Sequence, residues 1–391
     1  MMREGSSEEN VLGDLKKILE KDLNFSSGKI IGSMCTMPHD FAKIVFNKYI
    51  ETNIGDPGLF PGTEKIEKEC IRILGSLLNN VNAVGNIVSG GTESNILALA
   101  HSRNLHDVKH PEVIVSDNIH HSFHKAANLL GLKLIPVSYS EVRSDSSAIK
   151  DKINSNTIMI VGTAGTTDLG LVDPIDVLSS ICIKNNIDLH VDASFGGFVL
   201  PFLHELGYDK FEFDFSLDGV TSLTIDPHKM GMAPIPSSCI LFRSIDNISN
   251  LNENVDYLAG GKPPRSTILG TSTGASVVSL WAIMRLLGLN GYKKIIQECM
   301  NNTEYIYQKL NCMPNIQVIQ KPSMNIIGFR CNSKSLNTSN QLDKLLNSLR
   351  NEGWGISKFP THIRLVMMPH ISRGHADDFL LALSNTMKSF D

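Results

Sequence analysis

The sequence predicts an α/β protein, with an open, mostly parallel sheet that gathers its chemistry at the strand ends and a second, smaller α/β unit behind it. Three observations carry that expectation. Short apolar runs suited to buried strands alternate with segments of helical period. Several of these runs stop abruptly at clusters of Gly, Ser, Thr, Asp or Pro, the edge where open α/β sheets bind ligands. A chain of 391 residues also exceeds the usual size of one compact unit.

Composition narrows the classes. Apolar residues make up 42% and the net charge is −4 with both signs mixed, which suits a globular enzyme and argues against a nucleic-acid partner. The seven cysteines are scattered and include no CxxC pair, so metal-ligand spacing is absent and a reducing compartment is expected. Residues 1–20 are charged, and neither a signal peptide nor a membrane span is expected, leaving the cytoplasm as the default.

In order, Val11, Leu12, Leu15, Ile18, Leu19 and Leu23 fall at helical spacing and predict a docking helix. The Gly- and Pro-rich stretch from Thr52 to Thr63, around Phe60, reads as a shaped loop, either a structural turn or a wall for substrate. Glu64–Leu78 is helical by period. Ala83–Val88 reads as a strand entering Ser89-Gly90-Gly91-Thr92-Glu93-Ser94-Asn95 and an apolar helix; Gly90, Gly91 and Thr92 suit either an ordinary helix start or a phosphate seat. Val113–Val115 leads to Asn118-Ile119-His120-His121-Ser122, where an imidazole could stack on a cofactor ring or merely be polar surface. Leu134–Val137 and Ile158–Val161 are further strands, the latter running into Gly162-Thr163-Ala164-Gly165-Thr166-Thr167.

The strand Leu189–Val191 closes on Asp192, which is either a helix cap or the buried partner of a cation such as a protonated pyridine nitrogen. The next run, Leu223 to Ile225, stops at Pro227 and releases His228 and Lys229. A lysine held on that edge and partly desolvated would lose some preference for its charged form and attack an aldehyde, making Lys229 a candidate for the Schiff-base lysine of pyridoxal phosphate; an isolated His-Lys pair reads instead as a solvated lysine after a strand. Hydroxyls, an imidazole, a carboxylate and a lysine on successive strand ends suit one phosphorylated pyridine, and their joint occurrence outweighs each separate reading. Downstream, Ser238–Phe242 reads as a strand, Gly260–Ser266 as a mobile loop, and Ala275–Leu287 and Tyr292–Leu310 as helices. Strands at Ile316–Ile319, Ile326–Phe329 and Arg364–Val366 with helices at Gln341–Leu349 and Ala376–Leu383 form the small layer.

The motifs from Ser89, Asn118, Gly162, His190 and Asp226 together resemble the group II pyridoxal phosphate decarboxylases. Thr-Asn-Ile-Gly-Asp-Pro-Gly-Leu-Phe-Pro-Gly-Thr from Thr52 and Arg-Leu-Val-Met-Met-Pro-His from Arg364 are similar, more narrowly, to the archaeal L-tyrosine/L-aspartate decarboxylases. The resemblance implies a fold type I architecture, with a mixed seven-stranded sheet in a large domain, a small C-terminal α/β domain, and a homodimer with active sites at the interface. Expected boundaries are an N-terminal helical segment at 1–50, the cofactor domain at 51–290 and the small domain at 291–391. Position by position it implies Lys229 as Schiff-base lysine, Asp192 as partner of the pyridine nitrogen and His120 as the stacking imidazole. Gly91, Thr92 and His228 correspond to phosphate contacts, Thr166 lies near the ring's phenolic oxygen, and Thr271 reaches the phosphate from the neighbouring subunit.

The reaction implied is decarboxylation of L-tyrosine to tyramine, towards methanofuran, or of L-aspartate to β-alanine, towards coenzyme A. Arg364 is the candidate carboxylate fork. Phe60, Met34 and Met37 are candidate walls for tyrosine, and Lys262 or Arg265 a second cation for aspartate. The group that protonates the carbanion stays open among Tyr257, His120 and Lys229, and Gly270-Thr271-Ser272-Thr273-Gly274 lacks the arginine usual in the family. A sphingosine-phosphate-lyase-like enzyme and a non-catalytic cofactor-binding dimer are the competing readings.

Overall fold

The computed structural model describes residues 4–140, 147–251, 259, 266–331 and 338–388. Tyr257, Lys262 and Arg265, and all of the Gly260–Ser266 loop but its last residue, lie outside the described residues.

The large sheet has seven strands, β1 (Val84–Val88), β2 (Glu112–Ser116), β3 (Lys133–Val137), β4 (Thr157–Thr163), β5 (Asp188–Asp192), β6 (Val220–Ile225) and β7 (Ser238–Phe242). Their order is β1-β7-β6-β5-β4-β2-β3, and only β7 runs antiparallel to its neighbours. The strands read as continuous apolar runs because both faces are covered: all five residues of β2, β5 and β7 are buried. The register fixes the site. Asp192 at the end of β5 stands beside Thr224 of β6, one residue before Ile225 hands over to Asp226.

The smaller sheet, in the order β10-β11-β9-β8, comprises β8 (Ile316–Val318), β9 (Ile326–Cys331), β10 (Ser357–Lys358) and β11 (Ile363–Val366), all antiparallel. Its core around Phe329, Leu345, Leu365 and Phe379 is separate from that of the large sheet. The helical pattern over Ala275–Leu287 and Tyr292–Leu310 becomes one long element, Gly274–Asn311, broken at Gly288, whose φ of 56° and ψ of −173° no L side chain holds without strain. By length and composition this helix could cross a membrane, but 56% of its most apolar window is buried in the protein, as befits a core helix.

The N-terminal helix Glu8–Leu19 forms where expected but buries none of its residues, so within this chain it docks on nothing. The chain after it runs extended. Gly32 and Val366 donate to the carbonyls of Gly355 and Ile31, and His39 donates to that of Met232, so residues 30–39 thread between the small sheet and the turn after Lys229.

Tyr292, buried on the long helix, donates its hydroxyl to the carbonyl of Gly231, two residues past Lys229. Tyr292→Phe leaves that carbonyl unpaired and should lower stability by about 1–2 kcal/mol, read as an earlier denaturant midpoint with an unchanged circular dichroism spectrum; an unmoved midpoint would show that the bond contributes nothing.

Candidate active site

The site is assembled where the strands end. β1 turns through Ser89 and Gly90 into the helix Gly91–Leu105, and because Gly90 has no side chain to cap it, the first N–H groups stay free for an anion. A Cβ on Gly91 would lie 2.9 Å from Asp226 Oδ2 and 3.1 Å from Ser194 Oγ, so only glycine lets this helix start approach the acidic strand end.

His120 caps the next helix, His121–Leu130, where its Nδ1 accepts from the Ser122 N–H at 3.3 Å and lies 2.9 Å from Ser122 Oγ. Burial lowers the basicity of this imidazole below the ordinary value, against the opposing pull of Asp192. A neutral ring with Nδ1 accepting carries its proton on Nε2. Thr166 is buried in the turn after β4, its Oγ1 accepting from the Leu171 N–H at 3.0 Å.

Asp192 is buried at the end of β5. Its Oδ1 accepts from Ser194 Oγ at 2.5 Å and Ser194 N at 3.1 Å, and its Oδ2 from Asn95 Nδ2 at 3.1 Å. Burial alone would raise its pKa, but Lys229 and the Ser194 hydrogen bonds prevail and hold it ionised below the ordinary carboxylate range. Lys229 Nζ lies 3.0 Å from Asp226 Oδ2, and Asp226 also accepts from Ser238 Oγ at 2.5 Å.

Here the expectation from sequence is corrected. Burial does favour the free amine of Lys229, yet Asp226 and then Asp192 outweigh it and hold the ammonium above its ordinary pKa. His228 is likewise held above the ordinary imidazole value, burial being outweighed by Cys35, Asp226 and the Ser237 carbonyl.

Two joined cavities open here. The inner one, about 310 Å³, is lined by Gly91, Thr92, Asn95, His120, Thr166, Asp192, Asp226, His228 and Lys229. The outer one, about 790 Å³, shares Met34, His120, Thr167 and Lys229 with it and extends to Ile30, Arg350, Trp354, Ile356 and Arg364. The structure thus brings Gly90, Gly91, Thr92, His120, Thr166, Asp192, His228 and Lys229 together in one cavity, with Met34 lining both cavities and Arg364 the outer one. Phe60, Met37 and Thr271 line neither: Phe60 precedes the helix Pro61–Leu77, and Thr271 is exposed beside the bridge from Asn53 to Thr273. Sequence reasoning missed Asn95, Cys35, Arg350 and Trp354, whose letters carry no motif of their own; their roles come from long-range packing.

The inner cavity answers the demands of a phosphorylated pyridine. An uncapped helix start, an ionised carboxylate and a lysine all line this one cavity. Residues 2–332 match the family model described as the pyridoxal-dependent decarboxylase conserved domain. The chain belongs to the pyridoxal-dependent decarboxylase family. Its cofactor is therefore pyridoxal phosphate.

Within the family it is 46% identical to an L-aspartate/L-glutamate decarboxylase of Pyrococcus horikoshii over 98% of this chain and 99% of that one. It is 46% identical to an L-aspartate decarboxylase of Thermococcus kodakarensis, covering 98% of each. To a probable L-tyrosine/L-aspartate decarboxylase of Methanosphaera stadtmanae it is 42% identical, again over 98% of both. Among solved structures, a sphingosine-1-phosphate lyase of Burkholderia pseudomallei superposes with a TM-score of 0.89 at 25% identity, over 99% of this chain and 92% of that one. A glutamate decarboxylase of Lactobacillus brevis, at 0.87 and 21% over 99% and 94%, shares the fold type I architecture.

The buried imidazole behind Asp192 gives this pyridoxal phosphate enzyme a pH dependence. Burial pulls the pKa of His190 from 6.5 to about 4, against the opposing effect of Asp192. Between those values the unfolded chain binds a proton that the folded one refuses, so stability is full above pH 6.5 and falls as the pH drops towards 4. His190→Gln should flatten that part of the stability profile, measured by denaturant midpoints from pH 4 to 7; an unchanged slope would place the acid sensitivity elsewhere.

Proposed function

We propose that this enzyme decarboxylates L-aspartate to β-alanine, acting in the cytoplasm as a homodimer. The observation that carries the substrate is Arg364. It is 6% exposed and lines the outer cavity with Lys229. Its guanidinium donates to the carbonyls of Thr167 and Gly32, each at 2.6 Å, while its Nε has no partner, and among the described residues no carboxylate pairs with it. Burial pulls its pKa down to about 10, with Asp168 opposing. A buried cation with the field of Asp168 but no carboxylate within ion-pair distance is costly, and the retained carboxylate of aspartate would supply one. Arg350 at the rim adds a second cation, a place for which the sequence had offered Lys262 or Arg265. The 46% identical aspartate decarboxylases support the same choice.

Lys229 is proposed to hold the cofactor, with the helix start at Gly91 and Thr92 binding its phosphate and His228 beside it. Bound pyridoxal phosphate supplies a sink for the electron pair left when the bond from Cα to the carboxylate breaks. Asp192, held ionised, keeps a proton on the ring nitrogen and so keeps that sink available. His120 lays its neutral ring against the cofactor. Thr166 stands by for the phenolic oxygen. His120 and Lys229 line both cavities, and they are the groups placed to return a proton to Cα.

The homodimer is supported by the segment that Thr271 occupies. Ile268 and Leu269 are 52% and 44% exposed beside it, and their N–H groups are tied to Glu93, on the first turn of the phosphate-binding helix. That puts Thr271 and the Phe60 loop on a surface able to complete a partner's site. Seven unpaired cysteines suit the cytoplasm.

Tyrosine is the second reading, favoured by the apolar side of the outer cavity, where Ile30, Met34, Trp354 and Ile356 would take a phenol ring. Carboxyl-labelled aspartate, glutamate and tyrosine given to the cofactor-loaded enzyme separate these readings. Release from aspartate is expected. Arg364→Leu should then cut kcat/KM for aspartate about 30-fold or more, the loss of a buried charge pair of about 2 kcal/mol or more, with little effect on tyrosine. Release from tyrosine alone would replace the proposal with its rival, and no release from any would favour a lyase of another bond or a carrier.

A further inference from the structure

Asn95 lies on the second turn of the phosphate-binding helix, 1% exposed, behind both groups assigned to the cofactor ring. Every polar position of its amide is engaged. Nδ2 lies 3.1 Å from Asp192 Oδ2 and 2.9 Å from Ser122 Oγ, while Oδ1 accepts from Thr224 Oγ1 at 2.8 Å and stands 3.2 Å from His190 Nε2. The orientation is forced. An ionised Asp192 only accepts, so the nitrogen must face it, which turns the oxygen to Thr224 and His190.

The direction of the remaining bonds follows. One Nδ2 proton goes to Asp192 and the other to Ser122 Oγ. One of the two lone pairs of Ser122 Oγ takes that proton, and the hydroxyl's own proton is available to His120 Nδ1, 2.9 Å away, which already accepts from the Ser122 N–H. Asn95 thus heads two branches, one ending on Asp192 and one on His120. The direction at the imidazole is set by the Ser122 N–H, because a proton on Nδ1 would leave those two donors facing each other.

We propose that Asn95 is a positioning residue that couples the two ring contacts: it fixes the carboxylate of Asp192 directly and, through Ser122, holds His120 as the neutral tautomer with its proton on Nε2. Protonation at Nδ1 would turn the Ser122 hydroxyl's proton away and leave the Ser122 N–H facing a second donor. The charged and titratable groups facing His120 are Asp192, Asp226, Lys229 and His121, whose ring lies 4.1 Å away. None of these belongs to the branch, so the branch can be cut without removing them. The inference rests on the cofactor contacts proposed for Asp192 and His120 but not on which amino acid is the substrate.

The test uses holoenzyme labelled with ¹⁵N at histidine, the His120 signals being those lost in His120→Gln, together with the dissociation constant for pyridoxal phosphate. The wild type should show His120 with Nδ1 bare and Nε2 protonated. Ser122→Ala cuts the hydroxyl branch and keeps the backbone N–H: the tautomer preference should weaken and the His120 titration rise by about half a unit or more, while cofactor affinity stays within about twofold. Asn95→Asp, similar in size, cuts both: the tautomer changes and affinity falls about tenfold or more. The proposal is overturned if the tautomer is unmoved in Ser122→Ala, or if that variant weakens cofactor binding as much as Asn95→Asp does. Should Asn95→Asp not fold, Ser122→Ala leaves Asn95 and Asp192 in place and decides the imidazole branch by itself.

Discussion

The pairing of one lysine with two carboxylates at the buried edge of the large sheet is the constraint from which the site follows. Asp226 sits three residues before Lys229, and Asp192 reaches the same cavity because β5 and β6 are parallel neighbours in fixed register. Asp226 has two basic neighbours, Lys229 at 3.0 Å and, at 3.8 Å, the His228 imidazole that is held above its ordinary pKa. Asp192 meets no cation that closely, so its carboxylate is the one a protonated pyridine nitrogen would suit. The two carboxylates also explain why the lysine is held as an ammonium in this arrangement.

Much of the surrounding architecture serves that pairing. The serine at the head of antiparallel β7 donates to Asp226, and the glycine that starts the phosphate-binding helix clears space for the same carboxylate. Asn95 and Ser194 engage the two oxygens of Asp192 from opposite sides. From the smaller sheet, β11 carries Arg364 to the outer cavity, where it donates to the Gly32 carbonyl of the extended segment after the first helix. That segment, residues 30–39, ties the smaller sheet to the turn after Lys229 with backbone hydrogen bonds to both.

The strands and their chemical ends were legible because buried parallel strands read as apolar runs and the residues after them are chosen for reactivity. Gly90 to Thr92, His120, Asp192 and Lys229 stood out for that reason. The break in the long helix was legible too, since the apolar period slips at the Gly288 region. What the letters could not show was distance. The charge state of Lys229 turns on an aspartate 3.0 Å away, and the letters Asp-Pro-His-Lys do not tell whether the two side chains meet. Asn95 reads as one more polar residue near a helix start until Asp192, Ser122, Thr224 and His190 are seen to converge on it from three other segments. β10 escaped notice because two polar residues make no period, and the N-terminal helix was read as docked although its apolar face stays exposed.

The central claim is that Lys229 is the residue to which pyridoxal phosphate attaches. Borohydride reduction of the cofactor-loaded protein followed by peptide mapping by mass spectrometry tests it directly. The expected result is a single pyridoxyl mass on the peptide that contains Lys229, lost in Lys229→Ala. Labelling of a different lysine, or labelling that persists in that variant, would contradict the assignment and the organisation of the site built upon it.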